Sequence, residues 1–344
     1  MADALYPVLS AIPWPLPVRP SVDVLTDPET RRLIATALLE LGLAFLLLSI
    51  SAWFGRGRIV AAAVALPLMV LRVPSLGLLL VPATPASFRP SPTGFSAASI
   101  AAGRTVFAAN CVVCHGNAAD GVGGLGAQAD LRLGHIWSHP EGDLFWFVTH
   151  GKNAPDGTAL MPAFEAVLPE RARWSAIDYV HALSAGAATR GLDGWPRRLI
   201  APEVALSCSS SAVRSIAGLR GQVVRVVLGS PPAPLATVPP VNGVAVVTVW
   251  IPGSDTEPAR VPGVDCVSRG DGDVVAAYAI LAGSPDGRIV AARFLIDPDG
   301  VLRSVWRKDD GDGWTDPERL LEEVRTICTE PLTIEAGDEH EHHH

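Results

Sequence analysis

Two long apolar runs stand near the start of the chain, before its pattern changes. The first, residues 33–54, carries one charge, Glu40, and the second, residues 59–82, also carries one, Arg72. Each run is long enough for a helix to cross the roughly 30 Å core of a bilayer. The pattern therefore predicts a transmembrane hairpin over residues 33–82, with FGRGR at its turn. The alternative for either run is a buried core helix, which the prolines and Arg72 favour more in the second run than in the first.

The two lone charges are spaced so that they can meet inside this hairpin. Glu40 lies 17 residues before Gly57, in the turn, and Arg72 lies 15 residues after it. At about 1.5 Å per residue, the two differ in depth by roughly 3 Å. Because a lone charge in lipid is costly, we predict a contact between Glu40 and Arg72 within the membrane.

Beyond the hairpin the pattern is that of a small helical domain. Residues 83–94 are rich in proline and predict a stiff spacer. The stretch at 96–110 is rich in alanine, and Ser96 is placed as an N-cap, so a helix is predicted to lead into the sequence CVVCHG. A last helix of this domain is predicted from Pro169 onward.

The sequence CVVCHG contains two of the five cysteines, Cys111 and Cys114, followed directly by His115. A redox dithiol usually follows a strand, whereas a helix is predicted here. A zinc site would need a second ligand pair at regular spacing, and none follows in the sequence. In haem c attachment, the two thiols form thioethers with the vinyl groups, and the next histidine ligates the iron. The motif therefore predicts one covalent haem c, with His115 as an axial ligand.

A second axial ligand is expected further along the chain. Met161 is one of only three methionines and lies in a predicted loop bounded by Gly157 and Pro162. We predict that its thioether is this ligand. The alternatives are His150, then His135, His139 or an open site, and Met161 would in those cases fill a gap in the core.

Residues 95–186 resemble a class I c-type cytochrome. The resemblance rests on GRTVFAANCVVCHG, on MPAF and on the closing helix WSAIDYVHAL. It implies that the first and last helices pack across each other. At their contact, Gly103 would allow a close approach, next to Phe107, and Tyr179 or Trp174 would fill the space.

The same resemblance implies that Cys111 and Cys114 hold the haem, with His115 as the proximal ligand and Met161 as the distal ligand. More narrowly, LLLVPATPASFRPSPTGFSAASIAAG resembles the lead-in of cytochromes associated with copper-resistance-D-type membrane proteins.

Haem c is attached on the outer side of the cytoplasmic membrane, which sets the expected topology. The predicted location is the bacterial inner membrane, with the main domains on the periplasmic side. Residues 1–32 and residues 83 onward would then be periplasmic, and the FGRGR turn would be cytoplasmic.

The ligand set predicts electron transfer rather than catalysis, because filled axial positions leave no place for a substrate on the iron. The chain is 49% hydrophobic, with a mean hydropathy of +0.30, which agrees with a membrane anchor. Its net charge of −8 argues against a nucleic-acid partner. The expected partners are the membrane and a redox protein or membrane oxidoreductase complex. The alternative function is haem-linked copper handling or oxidase assembly.

After a predicted linker at 187–203, the pattern changes to strands alternating with helices over 204–334. A hairpin is predicted at RFLIDPDGVLRSVWR, with helices at DGDVVAAYAIL and DPERLLEEVRTICTE. The hairpin and IAGLRGQVVRVVLG resemble a thioredoxin-like domain of the peroxiredoxin and copper-chaperone kind. The loop where that family keeps its cysteines reads GSPPAPLATVPP here, so the resemblance implies an α/β domain without thiol chemistry. Such a domain would dock a partner or pack on the cytochrome.

Three cysteines and a histidine-rich end remain. An oxidising compartment favours a disulfide, and Cys208 with Cys266 is the predicted pair, because Cys328 lies on an apolar face of the last helix. A metal site that uses all three thiols is the alternative. The tail at 335–344 predicts weak binding of Cu, Ni or Zn, with a disordered polar tail as its alternative.

Overall fold

The computed structural model describes most of the chain in separate stretches, which are residues 16–21, 28–51, 79–132, 139–189, 199–209, 215–229, 237–253, 261–268, 272–311 and 316–329, with single residues at 65, 67, 77, 136 and 235. These residues fall into two compact units, and each is described by itself. The first holds residues up to 90 and residues 138–147, and the second holds 91–137 and 148–333.

The helices and strands of the described residues are, in chain order, β1 (Val18–Arg19), α1 (Pro28–Ser51), β2 (Val81–Pro82), α2 (Ala97–Asn110), α3 (Val112–His115), α4 (Glu141–His150), β3 (Lys152–Asn153), β4 (Ala159–Met161), α5 (Glu170–Ala188), β5 (Leu199–Ile200), β6 (Leu206–Cys208), β7 (Val223–Leu228), β8 (Val246–Ile251), β9 (Cys266–Ser268), α6 (Gly272–Leu281), β10 (Ala292–Ile296), β11 (Val301–Arg307) and α7 (Pro317–Thr329).

The first unit contains one long apolar helix, α1. It begins at Pro28, before the predicted start at residue 33, because proline suits the first turn of a helix, where its missing N–H is not needed. Over Thr30–Ser49 the mean hydropathy is 1.8, and most of this stretch is not buried. Apolar side chains such as Leu39 and Phe45 are exposed. By its length and composition, α1 can cross a membrane.

The second predicted span, residues 59–82, falls almost wholly outside the described residues, and Arg72 lies there too. Its contact with Glu40, which is half-buried in α1, therefore stays a prediction. The end of that span is wrong, because Val81 and Pro82 form the strand β2, antiparallel to β1. A residue before proline disfavours the helical backbone, which makes Val81 extended.

In the first unit, the buried carboxylate of Asp143, in the first turn of α4, binds side chains from two other segments of the chain. Its Oδ2 accepts a hydrogen bond from Arg19 Nε at 2.9 Å and lies 2.8 Å from Arg19 Nη2. Its Oδ1 accepts hydrogen bonds from Thr84 Oγ1 at 2.8 Å and Ser87 Oγ at 2.5 Å. The first half of the predicted spacer at 83–94 is thus folded onto α4 rather than extended.

The sheet of the second unit has seven strands in the order β5-β11-β10-β7-β8-β9-β6. The three strands β7, β8 and β9 run parallel, and the predicted hairpin, β10–β11, is antiparallel. Every residue of β7 is buried, because both faces of the sheet are covered there. Residues 199–329, which contain this sheet with α6 and α7, are called the α/β domain below.

The predicted linker at 187–203 is wrong at both ends. Helix α5 continues to Ala188, and Leu199–Ile200 form β5, which pairs with β11 at the edge of the sheet. Residues 190–198 lie outside the described stretches. At two residues, β5 is too short to show the alternating pattern of a strand, so it is recognised as a strand only by its pairing with β11.

Helix α6 lies where a helix was predicted and is apolar on all sides. Such a helix is expected to be buried on all sides. One side packs on the sheet, where the Tyr278 ring meets Phe294 edge-on at 5.3 Å. The other side contacts α2 and α5. The Tyr278 hydroxyl, also buried, donates to the carbonyl of Pro202 at 3.0 Å.

Loss of the Arg19 side chain should loosen the first unit. In Arg19→Ala, the buried carboxylate of Asp143 would lose its cation, which typically costs about 3–5 kcal/mol. Hydrogen exchange of the backbone at residues 83–90 and in the first turn of α4 should rise accordingly. The control is Arg288→Ala, because Arg288 forms an exposed pair with Asp286. Equal exchange in the two variants would contradict this role of Asp143.

Candidate haem site

The site is built on the crossing of α2 and α5. A Cβ at Gly103 would overlap the backbone carbonyl of Ser175, so only glycine permits this approach of the two helices. The contact is extended by a buried hydroxyl pair, Ser99 and Ser175, whose oxygens are 3.0 Å apart. The carboxylate of Asp178 accepts hydrogen bonds from Ser99 and from Thr93, each at 2.5 Å.

An aromatic pair lies beside the crossing. The rings of Phe107 and Tyr179 are 5.2 Å apart, both side chains are buried, and Trp174 is buried nearby on the same helix as Tyr179. The Phe107 ring also lies 6.4 Å from the imidazole of His115. The structure therefore brings Gly103, Phe107 and Tyr179 together next to the motif.

Cys111 ends α2, and the short helix α3 carries Cys114 and His115. The turn is closed by hydrogen bonds from the backbone of Cys111 to Phe107 at 2.8 Å and from that of His115 to Cys111 at 2.9 Å. Neither thiol is in a disulfide, and both are half-buried. Burial, followed by the charge of Cys114, raises the pKa of Cys111 to about 11. A redox dithiol needs a lowered thiol pKa, so the environment disfavours that alternative.

The imidazole of His115 is oriented by the backbone. Its Nδ1 lies 2.7 Å from the carbonyl oxygen of Ala129, which can accept a hydrogen bond only from a protonated Nδ1. In the neutral imidazole, that contact leaves Nε2 as the unprotonated nitrogen, which is the atom that binds a metal. Two free thiols and one oriented imidazole on adjacent turns fit covalent haem c.

A glycine-rich loop, residues 116–126, holds this arrangement. The backbone N–H of Leu125 donates to the carbonyl of Cys114 at 2.8 Å, and a Cβ at Gly124 would overlap that same carbonyl. Sequence reasoning missed this loop and the role of Ala129. The run GVGGLG was the available signal, since repeated glycines often mark close backbone approaches.

Met161 lies half-buried at the end of β4, opposite Lys152 of β3, rather than in the predicted loop. The backbone turns into β3 at Gly151, where φ is +77°. A Cβ at this position would overlap the carbonyl of Met161 and lie 3.0 Å from the backbone nitrogen of Ala163. The main chain at Met161 is thus fixed by its contact with the end of α4.

The alternative histidine ligands have other neighbours. His150 is 41% exposed, and its Nδ1 lies 3.9 Å from a carboxylate oxygen of Glu165. His139 packs edge-on against Phe147, with ring centroids 6.0 Å apart. His135 lies outside the described residues.

The remaining predicted site residues are spread over the chain. Cys208 and Cys266 stand opposite each other on β6 and β9 and form a disulfide. Cys328 of α7 is partly buried against the small apolar cluster under that helix, and burial raises its thiol pKa. The histidine-rich tail at 335–344 lies outside the described residues.

Comparison with known families agrees with this geometry. Residues 98–180 match the family model described as cytochrome C oxidase, cbb3-type, subunit III. The match runs from α2 into α5 and includes the CVVCHG motif and Met161. This part of the chain is therefore a cytochrome c domain, which indicates haem c as its cofactor and a role in electron transfer. Comparisons with curated proteins and with solved structures found no match.

Replacement of Gly103 tests the helix crossing. In Gly103→Ala the new methyl group must push α2 away from the backbone of α5, which typically costs about 1–3 kcal/mol. We expect a lower denaturation midpoint and less bound haem in the purified protein. The matched control is Gly272→Ala at the start of α6, where a Cβ meets nothing within 4 Å. Equal stability and haem content in both variants would contradict the close crossing.

Proposed function

We propose that the protein is a membrane-anchored, periplasmic class I c-type cytochrome that carries single electrons. The observation that carries this proposal is the CVVCHG motif on α3, with the imidazole of His115 fixed by the carbonyl of Ala129. Its place inside the matched cytochrome c domain supports it further.

The residues of the chain have separate tasks in this proposal. Cys111 and Cys114 would hold one haem through thioethers. His115 Nε2 and the Met161 thioether would be the two axial ligands. When bound, haem c takes up and releases one electron without making or breaking bonds to a substrate. A methionine ligand raises the reduction potential, and two protein ligands exclude small molecules from the iron.

A membrane anchor and a periplasmic location are proposed from three features. Helix α1 is long and apolar enough to span. Covalent haem is attached outside the cytoplasm, and the disulfide between Cys208 and Cys266 is typical of an oxidising compartment. The redox partner would be a protein or complex of the same membrane, because anchoring raises its local concentration.

We also propose that the α/β domain is a thioredoxin-like domain without thiol chemistry. Strands β11, β10, β7 and β8 lie side by side in this order, as a parallel pair and an antiparallel hairpin, and α7 follows. The loop after β7 begins at Gly229 and contains no cysteine. The two cysteines of the sheet stand instead on β6 and β9, in the disulfide.

Replacement of Met161 tests the axial ligand. Ferric Met161→Ala should lose the long-wavelength absorption band of methionine-ligated haem, and its ferrous form should bind carbon monoxide. Met161→His should keep both axial positions filled but lower the reduction potential, since imidazole favours ferric iron more than a thioether does. His150→Ala is the control and should retain the band. A retained band in Met161→Ala would overturn the ligand assignment.

The five cysteines provide a test of covalent attachment and the disulfide together. After unfolding without reductant, the haem-loaded protein should expose one alkylatable thiol, that of Cys328. With reductant, it should expose three, because thioethers are not reduced. Mass spectrometry of mapped peptides counts them. Three modified thiols before reduction would contradict the disulfide, and five after reduction would contradict haem attachment.

A further inference from the structure

The last helix of the cytochrome c domain, α5, is buried on nearly all sides over most of its length. From Arg173 to Gly186, every residue of α5 except Val180 is buried, and Val180 is half-buried. One side of α5 crosses α2, and another contacts α6 of the α/β domain. A single apolar core therefore joins the two domains. It includes Ile100, Phe107, Tyr179 and Leu183 on the cytochrome side and Val226, Tyr278 and Phe294 on the other.

The two domains also approach at backbone level. A Cβ at Gly186 would overlap the carbonyl of Ile280 in α6 and would lie 2.9 Å from the backbone nitrogen of Gly283. This is the same kind of approach as the one at Gly103. The α/β domain is thus packed closely on α5, although less closely than α2 is.

The buried guanidinium of Arg307 donates hydrogen bonds at the C-terminal ends of both α5 and α6. Arg307, at the end of β11, donates from Nε to the carbonyl of Ala282 at 2.5 Å, directly after α6. From Nη2 it donates to the carbonyl of Gly186 at 3.3 Å and to Thr189 Oγ1 at 2.5 Å, at the end of α5. The last carbonyls of a helix lack partners within the helix and carry partial negative charge. A cation between two such ends therefore holds them together.

A turn of the α/β domain contacts the cytochrome helices a second time. The Tyr179 hydroxyl donates to the carbonyl of Pro285 at 3.0 Å, and Arg104 Nη1 donates to the carbonyl of Asp286 at 2.5 Å. Burial raises the pKa of Tyr179 to about 12.

These contacts reach the haem-attachment motif in two steps. The ring of Tyr179 packs on Phe107 at 5.2 Å, and the ring of Phe107 lies 6.4 Å from His115. The carbonyl of Phe107 also accepts the backbone hydrogen bond of Cys111. A shift of Tyr179 would therefore move the residues that carry the covalent attachment.

We propose that the α/β domain is an intramolecular support of the haem site. Its helix α6 and the turn at 283–287 cover the outer face of α2 and α5. Tyr179 is a positioning residue that packs on Phe107 and, through it, holds His115. Arg307 is a positioning residue that holds the end of α5, the helix that carries Tyr179. The outer face of α2 and α5 is consequently closed to a redox partner. The interface stands on the contacts alone, and only its effect on haem ligation rests on the proposed function.

Paired variants of the full-length protein test the interface. Arg307→Gln and Tyr179→Phe remove contacts between the domains. Their controls are Arg303→Gln, whose side chain pairs with Asp297 inside the α/β domain, and Tyr278→Phe, whose hydroxyl bonds Pro202 there. In the full-length protein as purified, hydrogen exchange of α2 and α5 should rise about tenfold in Arg307→Gln and Tyr179→Phe and should stay at the wild-type rate in the two controls. Unchanged exchange in Tyr179→Phe, or an equal rise in the controls, would overturn the proposal.

The haem-loaded variants provide the second readout. In Arg307→Gln and Tyr179→Phe, the band of methionine-ligated haem should disappear at a lower pH than in the wild type, and the controls should match the wild type. Faster exchange with unchanged haem spectra would overturn the positioning role. A wild-type protein without haem c would contradict the proposed function but leave the exchange test intact.

Discussion

The close crossing of α2 and α5 at Gly103 is the constraint on which the second unit depends. Because no side chain separates the two backbones there, Phe107 reaches Tyr179, and the end of α2 delivers Cys111 to the haem-attachment turn. The outer faces of the same helices then form one surface, on which α6 lies. Gly103 thus permits the geometry of the motif, and Gly186 permits the close approach of the α/β domain to α5.

This arrangement gives the α/β domain a structural role beside the cytochrome c domain. The α/β domain contributes a continuous apolar core and a buried cation, Arg307, at the ends of α5 and α6. Small domains bury a limited share of their surface, so a second domain in the same core adds stability that the helices of the cytochrome would lack by themselves. The disulfide between Cys208 and Cys266 links β6, the edge strand of the same sheet, to its neighbour β9.

Much of this could be predicted from the sequence where the signal is local. The CVVCHG spacing, the Ser96 cap and the all-apolar pattern of α6 each depend on neighbours within a few residues, and the structure has the corresponding elements. Ser96 does cap this helix, since its side chain accepts a hydrogen bond from the backbone N–H of Ser99 at 3.2 Å.

Contacts that depend on distant partners could not be predicted in this way. Arg19 and Asp143 are far apart in sequence, and the residues around each give no indication that the two form an ion pair. Arg307 and His115 bind backbone carbonyls, which every residue carries, so no residue type marks the acceptor. The linker and the end of the second span were misjudged for the same reason, because short strands such as β2 and β5 are defined by pairing and not by their own pattern.

The most direct test of the account is the mass of one peptide. Trypsin cleaves after Arg104 and Arg132, which releases residues 105–132 with Cys111, Cys114 and His115 in one piece. From protein made in cells that attach haem c, this peptide should carry the added mass of one haem and absorb in the Soret region. The same peptide with two free thiols, or with a disulfide between them, would contradict the account.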